Sequence, residues 1–136
     1  MVGLVIASHG HLADELLATA ALIVGAVPAA ATCNVTPGAS PAHIQQQLLD
    51  AVNTVESGDG VIVLTDLLGG TPCNQSLSIC QQANIEVLTG VNLPMVLKAN
   101  SLREAPHSLH ELARELAQYG QSNIRCVTDA VRSTRD

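Results

Sequence analysis

Two short stretches are aliphatic at nearly every position, and they limit the possible folds more than any other feature. Val2–Ala7 reads VGLVIA and Val61–Thr65 reads VIVLT, without the polar–apolar alternation of a half-exposed strand. Strands of this kind are buried on both faces, as in parallel sheets that helices cover on both sides. The chain has one tyrosine and no Phe or Trp, so the core of such a fold must be aliphatic.

Helical patterns alternate with the apolar runs. Weaker runs predict further strands at Ala30–Val35, at Ile85–Leu88 and, near the end of the chain, at Asn123–Thr128. Apolar periodicity, capping residues and prolines predict helices from Leu12 to about Gly25, from Ser40 to about Val55, from Thr71 to about Ala83, at about Met95–Leu102 and at about His107–Tyr119. The pattern predicts one domain over residues 1–136, an α/β fold with a doubly wound, mainly parallel sheet and helices on both faces.

Composition excludes several classes of function. The net charge is −6 with only six Lys and Arg, and these are scattered, so we expect no nucleic-acid partner. No apolar run is long enough for a bilayer, and the first residues lack a signal-peptide pattern, so we expect a cytoplasmic protein without membrane insertion. Cys33, Cys73, Cys80 and Cys126 form no CxxC pair, which predicts buried reduced thiols and neither a metal nor a cofactor.

Polar residues and glycines cluster where the predicted strands end. The first strand runs into SHGH, which contains His9, and the third ends at Asp66 before LLGGTP. In doubly wound sheets the functional site lies beyond the carboxyl ends of the strands. If the two strands are neighbours, Asp66 can orient His9 through Nδ1 and leave Nε2 free to take a proton, bind a metal or attack phosphorus.

The surroundings of His9 favour phosphorus. Thr71 is the expected N-cap of a helix whose first amides can bind an anion, and Gly69 and Gly70 allow the backbone to approach closely. Gly10 precedes a second helix start and leaves room beside the histidine. The chain lacks GxxxxGK[ST] and GxGxxG, so the phosphoryl donor is not a nucleotide held in such a loop.

Other interpretations of these residues stay open at this stage. His9, His11 and Asp66 could bind a metal, although no further ligands complete a coordination set nearby. Each residue alone could also be an ordinary turn or loop position. We expect His11 to fall in the first turn of the next helix, exposed to solvent.

Three longer motifs carry a family resemblance. The segments VGLVIASHGHLADELLATA, GVIVLTDLLGGTPCNQS and VLTGVNLPMVL occur in this order, and the resemblance that they carry extends over nearly the whole chain. Together they resemble the EIIA domain of the mannose family of the bacterial phosphoenolpyruvate-dependent sugar phosphotransferase system (PTS). The ordered set is more specific than any one of its parts.

The resemblance implies a phosphotransferase component with a defined route for the phosphoryl group. It implies that His9 receives phosphate on Nε2 from the phosphocarrier HPr and passes it to a separate EIIB component, with Asp66 orienting the ring and the Thr71 hydroxyl near the phosphate. It implies a four-stranded parallel sheet and a homodimer that exchanges a C-terminal antiparallel strand, here Asn123–Thr128. The alternative is a regulatory module, in which the phosphorylation state of His9 controls a partner without sugar transport.

Overall fold

A computed structural model describes residues 1–67 and 70–133, and these residues form a parallel sheet with helices on both faces. The strands follow the predicted apolar runs: β1 (Gly3–His9), β2 (Ala30–Val35), β3 (Val61–Thr65) and β4 (Ile85–Leu88). Their order is β2-β1-β3-β4, and each neighbouring pair is parallel. The predicted fold class is confirmed.

Six helices are described. They are α1 (Leu12–Val24), α2 (Pro41–Val55), α3 (Thr71–Ser78), α4 (Leu93–Leu102), α5 (Leu109–Ser122) and α6 (Val127–Ser133). Helices α1, α4 and α5 cover one face of the sheet, while α2 and α3 cover the other. Over the described residues, no helix combines the length and the apolar character that a bilayer span requires.

The core is divided by the sheet into two aliphatic layers. Leu4, Ile6, Ile62 and Leu64 pack under α1, α4 and α5. The alternate residues of the same strands pack under α2 and α3: Val5, Ala7, Val61 and Val63. Both faces of β1 and β3 are therefore buried, which is why their sequences are continuous apolar runs.

The order of the strands places a crevice at one end of the sheet. From β1 the chain passes through α1 to β2, and then crosses back through α2 to β3 on the other side of β1. The direction of winding reverses at this point, so the carboxyl ends of β1 and β3 border the crevice where doubly wound folds bind ligands.

The helix starts follow the expected chemistry, with one correction. Ser40 caps α2 by accepting a hydrogen bond from the His43 amide at 3.2 Å. Thr71 was expected to cap α3, but Gly70 is the N-cap and Thr71 is the first helical residue. The shift is possible because proline fits either of the first two helical positions, where its missing N–H has no helical partner. Helix α3 also ends at Ser78 instead of about Ala83.

The predicted C-terminal strand is the main error in the fold. Residues 123–126 form no strand, and the chain continues as α6, in which the Asp129 amide donates to the Cys126 carbonyl at 3.2 Å. Residues 121–132 are all exposed. A strand needs the backbone groups of a neighbour, and no described neighbour supplies them here, so the segment satisfies its own backbone locally as a helix.

A buried arginine ties the other end of the sheet together. Arg103 is 4% exposed and follows α4. Its guanidinium donates to the Val2 and Ala29 carbonyls, at 2.9 and 3.1 Å, and to the Pro28 carbonyl at 2.8 Å. These carbonyls lie just before β1 and β2, so Arg103 joins α4 to the starts of two strands, at the end opposite His9.

Candidate functional site

His9 and Asp66 meet at the crevice between β1 and β3. His9 is the last residue of β1, and Asp66 directly follows β3. Oδ2 of Asp66 lies 2.9 Å from Nδ1 of the His9 ring and accepts the His9 backbone N–H at 3.0 Å. The His9 side chain is 47% exposed and that of Asp66 only 13%, so the carboxylate supports a ring that solvent and partners can reach.

The carboxylate determines which nitrogen of the ring carries the proton. A carboxylate accepts hydrogen bonds, so Nδ1 must be the donor and a neutral His9 keeps its lone pair on Nε2. Burial acts to raise the pKa of Asp66, but the hydrogen bonds from the ring and the amide of His9, with the charge of the ring, outweigh it. The pKa of Asp66 is therefore below its ordinary value, and the carboxylate is charged near neutral pH.

A tight turn after His9 brings the start of α1 to the site. Gly10 has a φ of +57°, a left-handed conformation that favours glycine, and its amide donates to the Val35 carbonyl at 3.0 Å. His11 is the N-cap of α1 but makes no side-chain cap. The buried Ser8 hydroxyl takes that role, accepting the Ala13 amide at 2.7 Å. Ser8 thus holds the helix start against the end of β1.

The start of α3 borders the same site. Thr71 is exposed, and it lines a cavity of about 380 Å³ together with His9, Gly10 and residues 35–39. Gly70 lies against the His9 ring, and its amide donates to the Leu67 carbonyl at 3.2 Å. The predicted site residue Gly69 lies outside the described residues. The structure thus brings His9, Asp66, Gly10, Gly70 and Thr71 together.

His11 does not join this group. It is exposed at the N-cap position, one residue before the helix in which we expected it. Across the part of the chain that the structure describes, no group of three or more His, Cys, Asp or Glu is placed to hold a metal ion. Nδ1 of His9 is engaged by Asp66, so only Nε2 of this ring could serve as a ligand.

The four cysteines differ in their exposure to solvent. Cys33 and Cys73 are buried as expected, Cys80 is half-buried, and Cys126 is exposed, contrary to the prediction. Cys126 lies in the exposed C-terminal segment, residues 121–132. Burial raises the pKa of the Cys33 thiol to about 11, which makes it a poor nucleophile at neutral pH.

Two contributions to the site were missed in the sequence. One is the capping of α1 by Ser8. The sequence indicates it only indirectly, because the N-cap position holds His11 and not the Ser, Thr, Asp or Asn that usually caps a helix. The other is the second hydrogen bond to Asp66, from the backbone of His9, which no side-chain pattern reports. Both depend on the close approach of the ends of two strands.

Comparisons with known proteins agree with the fold and the ordered motifs. The family model EIIA-man, described as PTS system fructose IIA component, matches residues 3–127. A mannose/sorbose-specific IIA subunit from Enterococcus faecalis superposes with a TM-score of 0.83 at 32% identity, covering 92% of this chain and 93% of that one. An EIIA component from Streptococcus agalactiae superposes with a TM-score of 0.86 at 28% identity, covering 95% and 99%.

A longer relative has a further region. The PTS system mannose-specific EIIAB component of Escherichia coli (strain K12) is 26% identical over 127 residues. The match includes 93% of this chain, which spans only 39% of that relative's length.

The fold and the matches define the class: these residues form a IIA-type domain, of the kind found in sugar phosphotransferase systems. More specifically, the chain belongs to the EIIA-man family. Phosphotransfer within a PTS is the general function of this family.

Proposed function

We propose that the chain carries a phosphoryl group on Nε2 of His9. The observation that carries this proposal is the contact of Nδ1 with Asp66, because it leaves the Nε2 lone pair available. During transfer that lone pair forms a bond to phosphorus, while the P–N bond to the donor's histidine breaks and its electron pair stays on the donor's ring. The proton on Nδ1 remains in the hydrogen bond, and the carboxylate stabilises the positive charge that develops on His9.

Two helix starts support a phosphoryl group at this place. Helices α1 and α3 both begin beside His9, and the first amides of a helix lack partners within it. The positive end of the helix dipole adds to the attraction for an anion. Thr71, the first residue of α3, offers a hydroxyl at the cavity that His9 also lines.

The glycines of the proposed phosphate site contribute space. The amides of Gly10 and Gly70 already donate to carbonyls of the protein, so we do not assign them to the phosphate. A β-carbon on Gly10 would meet no atom within 4 Å, which leaves that side of the site open to a partner. Gly69 belongs to the same proposal through its place in the motif.

We assign HPr as the donor and an EIIB component as the acceptor, which makes the chain a transferase acting on phosphorus groups. The support is membership of the EIIA-man family together with the exposed, oriented ring. We further propose that residues 1–136 act as one EIIA unit in the cytoplasm, where phosphoenolpyruvate is available. The proposal requires no metal and no cofactor.

The decisive experiment is phosphorylation in a reconstituted system. The protein is incubated with phosphoenolpyruvate, enzyme I and HPr, and the product is analysed for acid-labile, base-stable phosphate. We expect the label on the wild type and its loss in His9→Ala. The matched control is His11→Ala, which removes an exposed histidine two residues away and keeps the label. Full labelling of His9→Ala would reject the proposal.

We also propose that the protein acts as a homodimer through its C-terminal segment. Ile124 is 78% exposed, Val127 71% and Val131 54%, so a run of apolar side chains has no described cover. Light scattering should give twice the mass of the chain, and Val127→Asp should reduce it to that of a monomer. Leu22→Asp is the control, since Leu22 is an apolar residue of α1 that is 87% exposed. A monomeric wild type would contradict this part of the proposal.

A further inference from the structure

Gly70 is packed against the reactive ring. A β-carbon built on Gly70 would lie 2.8 Å from Cε1 and 3.5 Å from Nε2 of His9, and 3.3 Å from the Leu67 carbonyl oxygen. The shortest of these distances is below any normal contact between carbon atoms. Every residue other than glycine would therefore compete with the imidazole for the same space.

The usual reasons for a glycine do not apply at this position. Gly70 has φ −76° and ψ 167°, an extended conformation that any residue adopts. Its amide is already bonded to the Leu67 carbonyl, so close approach of an anion to that amide is not its use.

The capping position tolerates glycine but does not require it. Gly70 is the N-cap of α3, and no side chain caps this helix. Serine, aspartate or asparagine there could accept one of the free amides of the first turn and stabilise the helix. The requirement for glycine therefore comes from the contact with His9 and not from the helix.

We propose that Gly70 is a positioning residue that sets the orientation of His9. Because Gly70 has no side chain, the imidazole ring can pack directly against its backbone. The proposal rests on the proposed function, in which the Nδ1 contact with Asp66 keeps Nε2 reactive. The His9 side chain is 47% exposed, whereas the backbone of Gly70 is held by its hydrogen bond to the Leu67 carbonyl. A side chain at position 70 is accommodated by rotation of the ring, which breaks the contact with Asp66 and leaves the fold intact.

The test compares three variants in the reconstituted phosphotransfer assay. Gly70→Ala should lower kcat for transfer from phospho-HPr about 10- to 100-fold with little change in KM, because a small displacement of a reacting group has effects of this order. Gly70→Ser should also be slow, although it provides the missing cap and should be at least as stable as Gly70→Ala. Slow transfer in the more stable variant separates ring positioning from loss of fold.

Gly120→Ala is the matched control. A β-carbon on Gly120 would lie 2.6 Å from Sδ and 2.7 Å from Cγ of Met95, an overlap similar to that at Gly70. Met95 and Gly120 lie in α4 and α5, away from His9. Gly120→Ala should keep the wild-type rate for each folded molecule, whatever its thermal stability.

Nitrogen NMR of histidine-labelled protein supplies a readout that a purely structural role would not change. The wild type should show His9 as the Nδ1–H tautomer, and Gly70→Ala should show a mixture of tautomers. Wild-type rate or wild-type tautomer in both Gly70 variants would overturn the inference. A wild type that takes no phosphate on His9 would overturn the proposed function instead, so the two failures are distinguishable.

Discussion

One oxygen of the Asp66 carboxylate accepts two hydrogen bonds from His9, from the backbone nitrogen at 3.0 Å and from Nδ1 at 2.9 Å. The backbone bond ties the end of β1 to the residue that follows β3. The hydrogen bond from the backbone N–H therefore fixes the position of Oδ2 relative to the His9 backbone, and the same oxygen then accepts the hydrogen bond from Nδ1. The orientation of the imidazole is thus built into the meeting of two strands.

Replacing Asp66 by asparagine should slow phosphotransfer while preserving the fold. The amide has nearly the same shape but no charge to stabilise the imidazolium, so we expect transfer about 100-fold slower or more. Rapid-quench measurement with phospho-HPr gives the rate, and Asp14→Asn is the control. Asp14 also accepts two side-chain hydrogen bonds, from Thr32 and Asn34, but does not contact His9. Equal transfer rates for Asp66→Asn and the wild type would show that Asp66 has only a structural role in the turn after β3.

The lowered pKa of Asp66 predicts an acid-dependent loss of stability. The stability that the charged Asp66 contributes to the folded protein is fully present above its unfolded-state pKa of about 3.9. This contribution is lost as the pH falls through the lower pKa of the folded state. Urea unfolding of the wild type and Asp66→Asn between about pH 2 and 5 measures this. The difference in unfolding free energy should shrink toward the acid end. A difference that is constant over that range would contradict the assignment.

Replacing Arg103 by methionine should lower the stability of the protein without lowering the phosphotransfer rate of the molecules that remain folded. The guanidinium donates to the Val2, Pro28 and Ala29 carbonyls before β1 and β2, and methionine removes all three hydrogen bonds, although the Leu4 amide still donates to the Ala29 carbonyl. We expect a loss of about 2–4 kcal/mol in the free energy of unfolding. Arg103→Lys should retain only part of this stability, because an ammonium group lacks the planar arrangement of donors that the guanidinium offers to several carbonyls. A loss below about 0.5 kcal/mol in urea unfolding would show that water replaces the guanidinium.

The thiols should react at very different rates. Cys126 is exposed, whereas Cys33 and Cys73 are buried, and burial raises the pKa of Cys33 to about 11. Burial and, to a lesser extent, the charge of Glu86 raise the pKa of Cys80. Brief iodoacetamide treatment of the Val127→Asp variant, in which the proposed dimer contact is absent, should at mildly alkaline pH therefore label Cys126 first, as read by peptide mass spectrometry. Cys126→Ser should abolish the fast phase, and a fast phase that survives would place a reactive thiol elsewhere.

Much of the fold could be predicted because local patterns and tertiary packing agree. The runs at Val2–Ala7, Ala30–Val35, Val61–Thr65 and Ile85–Leu88 all form strands in the structure, because each is apolar enough to pack beneath the covering helices. The segment Asn123–Thr128 has a similar composition, but strand formation also needs a neighbouring edge. Composition alone carries no information about that edge, and the prediction failed there.

The site was predictable as far as strand order determines it. His9 and Asp66 follow two apolar runs, and their approach needed only that β1 and β3 be neighbours, as they are. The contact of Gly70 with the ring could not be predicted, since it depends on how a loop folds over a side chain from another strand. In the sequence, Gly70 resembles any glycine of a turn.

The order of the strands also decides which part of the molecule can open without disturbing the reactive ring. In the described sheet β1 and β3 each have a hydrogen-bonded neighbour on both sides, whereas β2 and β4 each have one. Local opening begins at such edges, where fewer contacts must break. Amide hydrogens of the two inner strands should therefore exchange last. An edge strand can open transiently while His9 keeps its orientation, so the reactive geometry should persist in partly opened forms until the whole domain unfolds.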